Sequence, residues 1–166
     1  MSELVVTEVA RPEAVSDERA QDPAFLSWDT LVWRFAAEPT YWLCTAGPGP
    51  HAMPVRGIWE NHRFQFSTSP NSRKAKNLRK QPQAVVHLSD TEAVLAIHCK
   101  AREMTTPDEL QRFCDEYNPK YRGAIKASDI ARGAFALIPH TAFAWSAGEG
   151  PGFRDAATRW RFEVID

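Results

Sequence analysis

Cysteine is scarce in this sequence, and its spacing points to no bridge or cluster. Cys44, Cys99 and Cys114 are the three cysteines, and they form neither a CxxC pair nor a metal-ligand spacing. Disulfide-stabilised secreted domains and small zinc sites depend on such regular spacings. We therefore expect no disulfide framework, and we predict a protein of the reducing cytoplasm.

Several catalytic and membrane signatures are also missing. The sequence has no GxSxG, Walker P-loop or GxGxxG motif, and its five histidines lie in separate segments without HExxH or HxH. No segment approaches the roughly 20 apolar residues of a membrane span, and the N-terminus does not read as a signal peptide. We predict no metal site and no membrane span. The sequence names no catalytic residue, so any reactivity would come from a bound cofactor.

Charge is balanced over the whole chain and concentrated in one segment. Lysine and arginine number 20 against 21 aspartates and glutamates, giving a formal net charge of -1. A chain of this kind is not a polycation, so affinity for phosphate or nucleic acid must come from a local patch. The basic patch is "SRKAKNLRK", residues 72–80.

The length and the 43% hydrophobic content suit one domain. Residues 1–24 are polar and show no sustained periodicity, so we predict a flexible or partner-clasping arm there and a single domain over 25–166. Alternating and β-branched runs predict seven strands, over residues 40–47, 51–60, 63–68, 83–90, 92–104, 133–146 and 157–165. Helices are predicted at 27–39, between Pro70 and Pro82, and from an N-cap at Thr106. This order favours a mainly β (α+β) fold, an antiparallel barrel with flanking helices.

The basic patch begins with the signal of an anion-binding helix. Ser72 occupies an N-cap position, and Arg73 and Lys74 follow in the first turn, where the helix dipole disfavours cations unless an anion is bound. Arginine offers a planar fork and lysine a compact charge, a suitable pair for a phosphate. A solvated basic helix is the alternative interpretation.

Residues around this helix extend the candidate site. Asn77 shares a helix face with Arg73, and the hydroxyls of Ser67 and Thr68 end the preceding strand, where they would add donors or simply form a turn. Pro54 within a predicted strand indicates a bulge or an edge. A third interpretation is a nucleic-acid-binding barrel in which Phe64 and Phe66 stack on bases. The net charge argues against that interpretation.

Over residues 27–164 the chain resembles the pyridoxamine 5'-phosphate oxidase-like superfamily. The resemblance rests on "PHAMPVRGIWENHR", on "FQFSTSPNSRKAKNLRKQPQAVVHL" and, much later, on "AFAWSAGEGPGFRDAATRWRF". It is closest to the branch whose members use FMN or the deazaflavin coenzyme F420. The resemblance implies a split β-barrel that forms a homodimer, with the cofactor at the subunit interface.

The resemblance also implies roles for individual residues. Arg73 and Lys74 would hold the cofactor phosphate, and the ring would lie against one strand and be approached from the second subunit. The remaining implied cofactor-binding residues are Ser67, Thr68, Ser72 and Asn77 near the phosphate, Pro54, Val55 and Arg56 along the ring, and Trp145 and Arg159 from the second subunit. True vitamin B6 oxidases end in an "RLHDR"-like segment, whereas this chain ends in "ATRWRFEVID", so oxidation of pyridoxamine phosphate is not implied.

The expected function is therefore that of an FMN- or F420-dependent oxidoreductase that transfers a hydride to or from a small organic substrate. The alternative is a non-catalytic split barrel that binds a cofactor, haem or another small ligand. No nucleic-acid partner is expected. Lys76, Arg79 and Lys80 would extend a basic groove for the polyglutamate tail of F420, or they form an ordinary solvent-facing surface.

Overall fold

The computed structural model describes residues 11–14, 28–90, 93–146 and 157–162. Strands and helices follow one another along this part of the chain in the order β1 Arg11–Ala14, α1 Trp28–Ala37, β2 Tyr41–Thr45, β3 His51–Val55, β4 Ile58–Glu60, β5 Arg63–Ser67, α2 Arg73–Lys80, β6 Gln83–His87, β7 Ala93–Glu103, α3 Pro107–Tyr121, α4 Ala127–Ile130, β8 Ala134–Ser146 and β9 Thr158–Arg161.

The nine strands form one antiparallel sheet that branches at β8. From the edge strand β3 the order is β2, β6, β7 and β8. The first part of β8 then pairs with β5, which pairs with β4, and a later part pairs with β9, which pairs with β1. β3 and β4 are thus the two ends of one path of paired strands. Only two residues, Arg56 and Gly57, separate them in the chain, so the sheet must curl round on itself. The predicted mainly β fold, a split antiparallel barrel with flanking helices, is confirmed.

The barrel interior is filled by aromatic side chains. Phe64 and Phe66 are 0% exposed, and Phe66 stacks on Phe135 with ring centroids 5.6 Å apart. Tyr41 packs edge-on against Phe64 at 4.7 Å. The interpretation in which Phe64 and Phe66 stack on nucleic-acid bases is therefore wrong, because strand alternation turns both rings into the core.

The strand predicted over residues 51–60 is two strands in the structure. Val55 ends β3 and Ile58 begins β4, and the strand is broken between them at Arg56 and Gly57. A Cβ atom at Gly57 would lie 2.2 Å from Phe64 Cζ and 2.6 Å from the Gln65 carbonyl oxygen, so only glycine permits this close approach. Beyond this break β4 pairs with β5, and β5 also pairs with β8.

Two further elements depart from the sequence prediction. Within the expected N-terminal arm, Arg11–Ala14 form strand β1, which pairs with β9. The short helix α4 was also not expected. The sequence "RPEA" has no strand pattern of its own, because its pairing partner β9 lies about 150 residues later. The domain boundary predicted at residues 24 and 25 lies outside the described residues and stays a prediction.

Candidate functional site

The start of α2 brings together hydroxyl and cationic side chains, which we call the cationic cluster: Thr68, Ser72, Arg73 and Lys74. Ser72 is the N-cap, as predicted, with its Oγ accepting from the Ala75 amide at 3.2 Å. Thr68 Oγ1 donates to Ser72 Oγ at 3.2 Å and accepts from Lys74 Nζ at 3.4 Å. The first turn of α2 contains no acidic residue. The helix dipole and two side-chain cations therefore add up at one place, which favours an anion.

The loop between β2 and β3 covers one side of the cationic cluster. Arg73 Nη2 lies 3.5 Å from the carbonyl oxygen of Gly49, at the outer limit of a hydrogen bond. His51, the first residue of β3, is close enough that its pKa responds to the cluster. Burial, followed by the charges of Arg73 and Lys74, lowers the pKa of His51 below its usual value. The imidazole is therefore neutral at neutral pH, and the excess positive charge stays on Arg73 and Lys74.

A close approach between the chain just after β5 and the chain just before β8 holds the other side of the cluster. Ser67 ends β5 opposite Ala134, and the Thr68 amide donates to the Gly133 carbonyl at 2.8 Å. A Cβ atom at Gly133 would lie 2.1 Å from the Thr68 carbonyl oxygen. The position of Thr68 therefore depends on a glycine 65 residues away, for which the sequence offers no signal.

The structure does not bring the Asn77 side chain to the cationic cluster. Asn77 is only 6% exposed, and its amide donates to Thr45 Oγ1 at 3.0 Å. A Cβ atom at Gly47 would lie 2.4 Å from Asn77 Oδ1, so the β2–β3 loop passes directly over this amide. Asn77 is thus placed to anchor the loop that carries Gly49, and its predicted contact with a phosphate would require a different side-chain orientation.

The strand β3 follows the cluster and forms an edge of the sheet. Within the described part of the chain, β3 pairs only with β2, in continuous register with Pro54 opposite Trp42. Of the two structures that Pro54 indicated, the structure contains the edge and not the bulge. Val55 is 8% exposed and packs in the core, so only its backbone is available to a ligand. Pro54 and Arg56 are exposed, and the Arg56 guanidinium lies over the Tyr121 ring at 5.4 Å.

Trp145 and Arg159 lie toward the end of β8 that is opposite to the cationic cluster. Ser67 pairs with Ala134 at the start of β8, whereas Trp145 is near its end, roughly 36 Å along the strand at about 3.3 Å per residue. Arg159 in β9 is directly opposite Phe143 of β8, so it shares a sheet face with Phe143 and Trp145.

A continuous row of residues crosses the outer face of the sheet. The pairings place Pro54, Trp42, His87, Ala96, Phe143 and Arg159 successively opposite one another on β3, β2, β6, β7, β8 and β9. At about 4.8 Å per strand, the two ends of this row are roughly 24 Å apart. Between them lie half-exposed and largely apolar side chains. Trp145 lies beside the row, two residues along β8 from Phe143.

A second polar cluster lies at the break between β3 and β4. We call it the Lys120 cluster, and it consists of Lys120 and Tyr121 with the groups that they bind on Ala36, Tyr41 and Gly57. Lys120 Nζ donates to the carbonyl oxygens of Ala36 at 2.8 Å and Gly57 at 3.1 Å, and to Tyr41 Oη at 2.8 Å. The Tyr121 hydroxyl donates to the Gly57 carbonyl at 2.8 Å and accepts from the Gly57 amide at 3.0 Å. The sequence analysis missed this cluster, because its partners are 63 to 84 residues apart.

The charge of Lys120 should make stability depend on pH. Burial lowers the pKa of Lys120 from its ordinary value of 10.5 to about 8, although the Glu38 carboxylate acts in the opposite direction. Between these values the unfolded chain binds more protons than the native one, so the free energy of unfolding should rise with pH. The raised pKa values of Tyr41 and Tyr121 act oppositely in the alkaline range.

The comparison with Lys120→Met isolates this effect, because the tyrosines are present in both proteins. Urea unfolding from about pH 8 to about pH 10 should show the wild type gaining stability relative to the variant. A stability difference that stays constant or shrinks over this range would contradict the expectation.

The predicted extension of the basic groove along α2 is only partly available. Arg79 donates through Nε and Nη2 to the Glu103 carboxylate at 3.0 and 2.6 Å, and it also donates to the carbonyl oxygens of Pro70 and Arg132. That hydrogen bond from Arg79 lowers the pKa of Glu103. Arg79 thus fastens α2 to the sheet, whereas Lys76 and Lys80 are exposed. A polar cleft of about 510 Å³ adjoins the Arg79–Glu103 ion pair. It is lined by Pro70, Asn71, Arg79, Glu103, Thr105, Ala131 and Arg132.

The described residues contain neither a metal-ligand cluster nor a membrane-spanning helix. Within them, no group of three or more histidine, cysteine, aspartate or glutamate side chains is arranged to hold a metal ion. No helix in the same part of the chain has the length and apolar character needed to cross a membrane. All three cysteines are unpaired, and Cys99 and Cys114 are buried.

Comparison with known proteins gives one family and many similar folds. The family model described as pyridoxamine 5'-phosphate oxidase matches residues 29–146. No curated protein matches the sequence. A conserved hypothetical protein from Mycobacterium tuberculosis is 19% identical with a TM-score of 0.66, over 79% of this chain and 90% of that one.

Two further solved structures carry informative names. A protein named F420 reductase is 18% identical with a TM-score of 0.54, over 66% of this chain and 93% of that one. HutZ from Vibrio cholerae, named as a heme storage protein, is 17% identical with a TM-score of 0.56, over 69% and 92% of the two chains. At these identities the likeness extends to the fold alone.

Proposed function

The chain belongs to the pyridoxamine 5'-phosphate oxidase family, and from this premise we propose that it is an oxidoreductase that binds FMN or F420. Its substrate would be a small organic molecule that exchanges a hydride with the cofactor ring. The cationic cluster carries this proposal. It combines a helix N-terminus, two hydroxyls and two cations without an acidic residue in the first turn, which is the donor set a phosphate needs.

The distance from the cationic cluster to the exposed strand supports the same ligand. His51 lies within electrostatic reach of Arg73 and Lys74, and Pro54 is three residues further along β3, roughly 10 Å away. A ring joined to a phosphate by a short polyol chain would extend over that distance. The exposed edge of β3 would then offer backbone atoms near Pro54 to the polar rim of the ring.

Catalysis would rest on positioning by this chain. When bound, a flavin or deazaflavin ring supplies hydride acceptance and donation. Arg73 and Lys74 would fix the phosphate end, and the backbone from Pro54 to Arg56 would orient the ring edge. Fixed hydrogen-bond donors close to the ring would stabilise negative charge that develops on the ring, and apolar walls would exclude water.

We propose that the site is completed by a second copy of the chain. Pro54 on the edge strand β3 and Arg159 on β9 are five strands apart in one row on the same sheet face, and Glu13 of β1 pairs with Arg159 on its other side. A two-fold axis near the middle of that row, between His87 and Ala96, would place each end of one protomer against the other end of its partner. Trp145 and Arg159 of the partner subunit would then approach the ring held by Pro54. The half-exposed apolar side chains between them would supply the interface.

A second candidate function is non-catalytic binding of a cofactor or haem. The observation that favours it is a pair of histidines on the outer sheet face, His98 and His140, whose ring centroids are 6.3 Å apart beside a bulge in β7 and β8. Burial and the neighbouring His140 lower the pKa of His98, which keeps the imidazole neutral and able to bind iron. The named function of HutZ is consistent with this candidate.

Native mass spectrometry of freshly purified protein tests the proposal. We expect a dimer carrying two copies of FMN or of F420, because each of two equivalent sites needs both protomers. Reduction of the bound cofactor and reoxidation by an organic acceptor would then separate an enzyme from a binding protein. A dimer carrying haem would support the second candidate, and a protein that binds none of the three on titration would overturn both. The cytoplasmic location, consistent with three unpaired cysteines, stays a prediction.

A further inference from the structure

The Lys120 cluster joins three separate parts of the fold through one amino group. Its acceptors are Ala36 near the end of α1, Tyr41 at the start of β2 and Gly57 in the break after β3. An ammonium group has three donors, and each has an acceptor here. Tyr41 in turn donates to the Phe35 carbonyl at 2.6 Å, so the network continues into α1. A half-buried lysine with this many fixed partners holds a defined backbone arrangement.

Both polar backbone groups of Gly57 are bound by side chains of α3. Its carbonyl oxygen accepts from Lys120 and Tyr121, and its amide donates to the Tyr121 hydroxyl. The break between β3 and β4 is therefore held by two side chains near the end of α3. Tyr121 also lies beneath the Arg56 guanidinium. Removing either α3 side chain would release the backbone next to Arg56.

The amide of Gly57 and the carbonyl of Arg56 belong to the same peptide group. Donation from the amide to Tyr121 Oη polarises that peptide group and strengthens its carbonyl as an acceptor. The Lys120 cluster thus acts on both the position and the polarity of the backbone that follows Pro54 and Val55. Under the proposed function, this backbone borders the cofactor ring.

We propose that Lys120 and Tyr121 are positioning residues that set the affinity and the reduction potential of the cofactor ring by holding the two peptide groups that Gly57 joins. Tyr121 binds the amide of the Arg56–Gly57 peptide, and both side chains bind the carbonyl of the Gly57–Ile58 peptide. This inference rests on the proposed function. It differs from the role of the cationic cluster, which would contribute to affinity through the phosphate and leave the ring unchanged. The charged and titratable groups around Lys120 are Tyr41, Tyr121 and Glu38, with Arg56 beyond Tyr121.

The test measures FMN affinity and reduction potential in Lys120→Met, Lys120→Arg, Tyr121→Phe and the control Lys126→Met. F420 replaces FMN as the probe if native mass spectrometry finds the deazaflavin. Lys126 is exposed and lies five residues beyond Tyr121. We expect Lys120→Met and Tyr121→Phe to weaken binding by roughly tenfold each, as for one lost hydrogen bond to a charged or fixed group, and to shift the potential. Lys120→Arg should recover part of the affinity and part of the shift in potential. Lys126→Met should have the affinity and the potential of the wild type.

The pH dependence of the potential provides a readout that a purely structural role would not change. In the wild type its slope should change near the pH at which Lys120 loses its proton, and Lys120→Met should remove that change. Tyr121→Phe keeps the ring and tests the inference even if Lys120→Met fails to fold. Folded variants with wild-type affinity, potential and pH slope would overturn the inference alone. A wild type that binds neither FMN nor F420 would overturn the proposed function and this inference with it.

Discussion

Replacing Arg73 and Lys74 together with alanine should reduce cofactor affinity by at least about 100-fold while leaving the barrel folded. A hydrogen bond to a charged group contributes roughly 1.5 to 3 kcal/mol, so two lost phosphate contacts exceed that factor. Arg73 is exposed and Lys74 half-buried, and neither belongs to the core. Ser72 would still cap α2. Titration of the apoprotein with FMN and with F420 measures the loss, and circular dichroism checks the fold.

The matched control is Lys76→Ala with Lys80→Ala, which removes the same two charges from the same helix. Both side chains are exposed, and neither is in the first turn with Ser72. A general electrostatic attraction would weaken equally in both double variants and would fade with added salt. The phosphate assignment requires the two to differ at moderate salt. Equal affinities for the two double variants would contradict it.

Gly133→Ala should destabilise the protein by roughly 3 kcal/mol, at the upper end of the range for overpacking. The added methyl group would lie 2.1 Å from the Thr68 carbonyl oxygen, and a backbone atom cannot rotate away as a flexible side chain can. Relief would require β5 and β8 to separate where the Thr68 amide donates to Gly133. Urea denaturation measures the loss of stability. We also expect weaker cofactor binding, because Thr68 belongs to the cationic cluster.

Gly49→Ala is the control for the cost of adding a methyl group near the same cluster. Its Cβ atom would have Arg73 Nη2 as its nearest neighbour, at 4.0 Å, which is an ordinary contact. The stability of this variant should stay close to that of the wild type. If Gly133→Ala were as stable as Gly49→Ala, the close approach of Gly133 to the Thr68 carbonyl would be refuted.

Local chemistry determined several features from the sequence by itself. Ser72 caps α2 and Thr106 caps α3, where its Oγ1 accepts from the Glu109 amide at 3.3 Å. Both caps depend on atoms within three residues, so their pattern is visible in the sequence. Pro54 lies on an edge strand, as its missing amide proton requires. The antiparallel barrel followed from strand runs separated by short turns.

Only the tertiary structure decided where the strand at residues 51–60 breaks and which residues surround the site. At the break, Phe64 and Gln65 approach Gly57 too closely for a Cβ atom, and the position of Thr68 depends on Gly133. The Asn77 amide turns to Thr45, and Lys120 and Tyr121 hold Gly57 from the end of another helix.

The physical reason for this division is the range of the interactions involved. Caps, turns and strand alternation are satisfied by neighbours in sequence, so one segment carries the information. Strand pairing and buried hydrogen bonds join groups that are dozens of residues apart, and their partners are chosen by the packing of the whole sheet. The sequence by itself therefore determined the helix cap and the charges of the cationic cluster. It also determined that β3 lies at an edge of the sheet. The packed barrel decided which backbone atoms lie beside them and what holds those atoms in place.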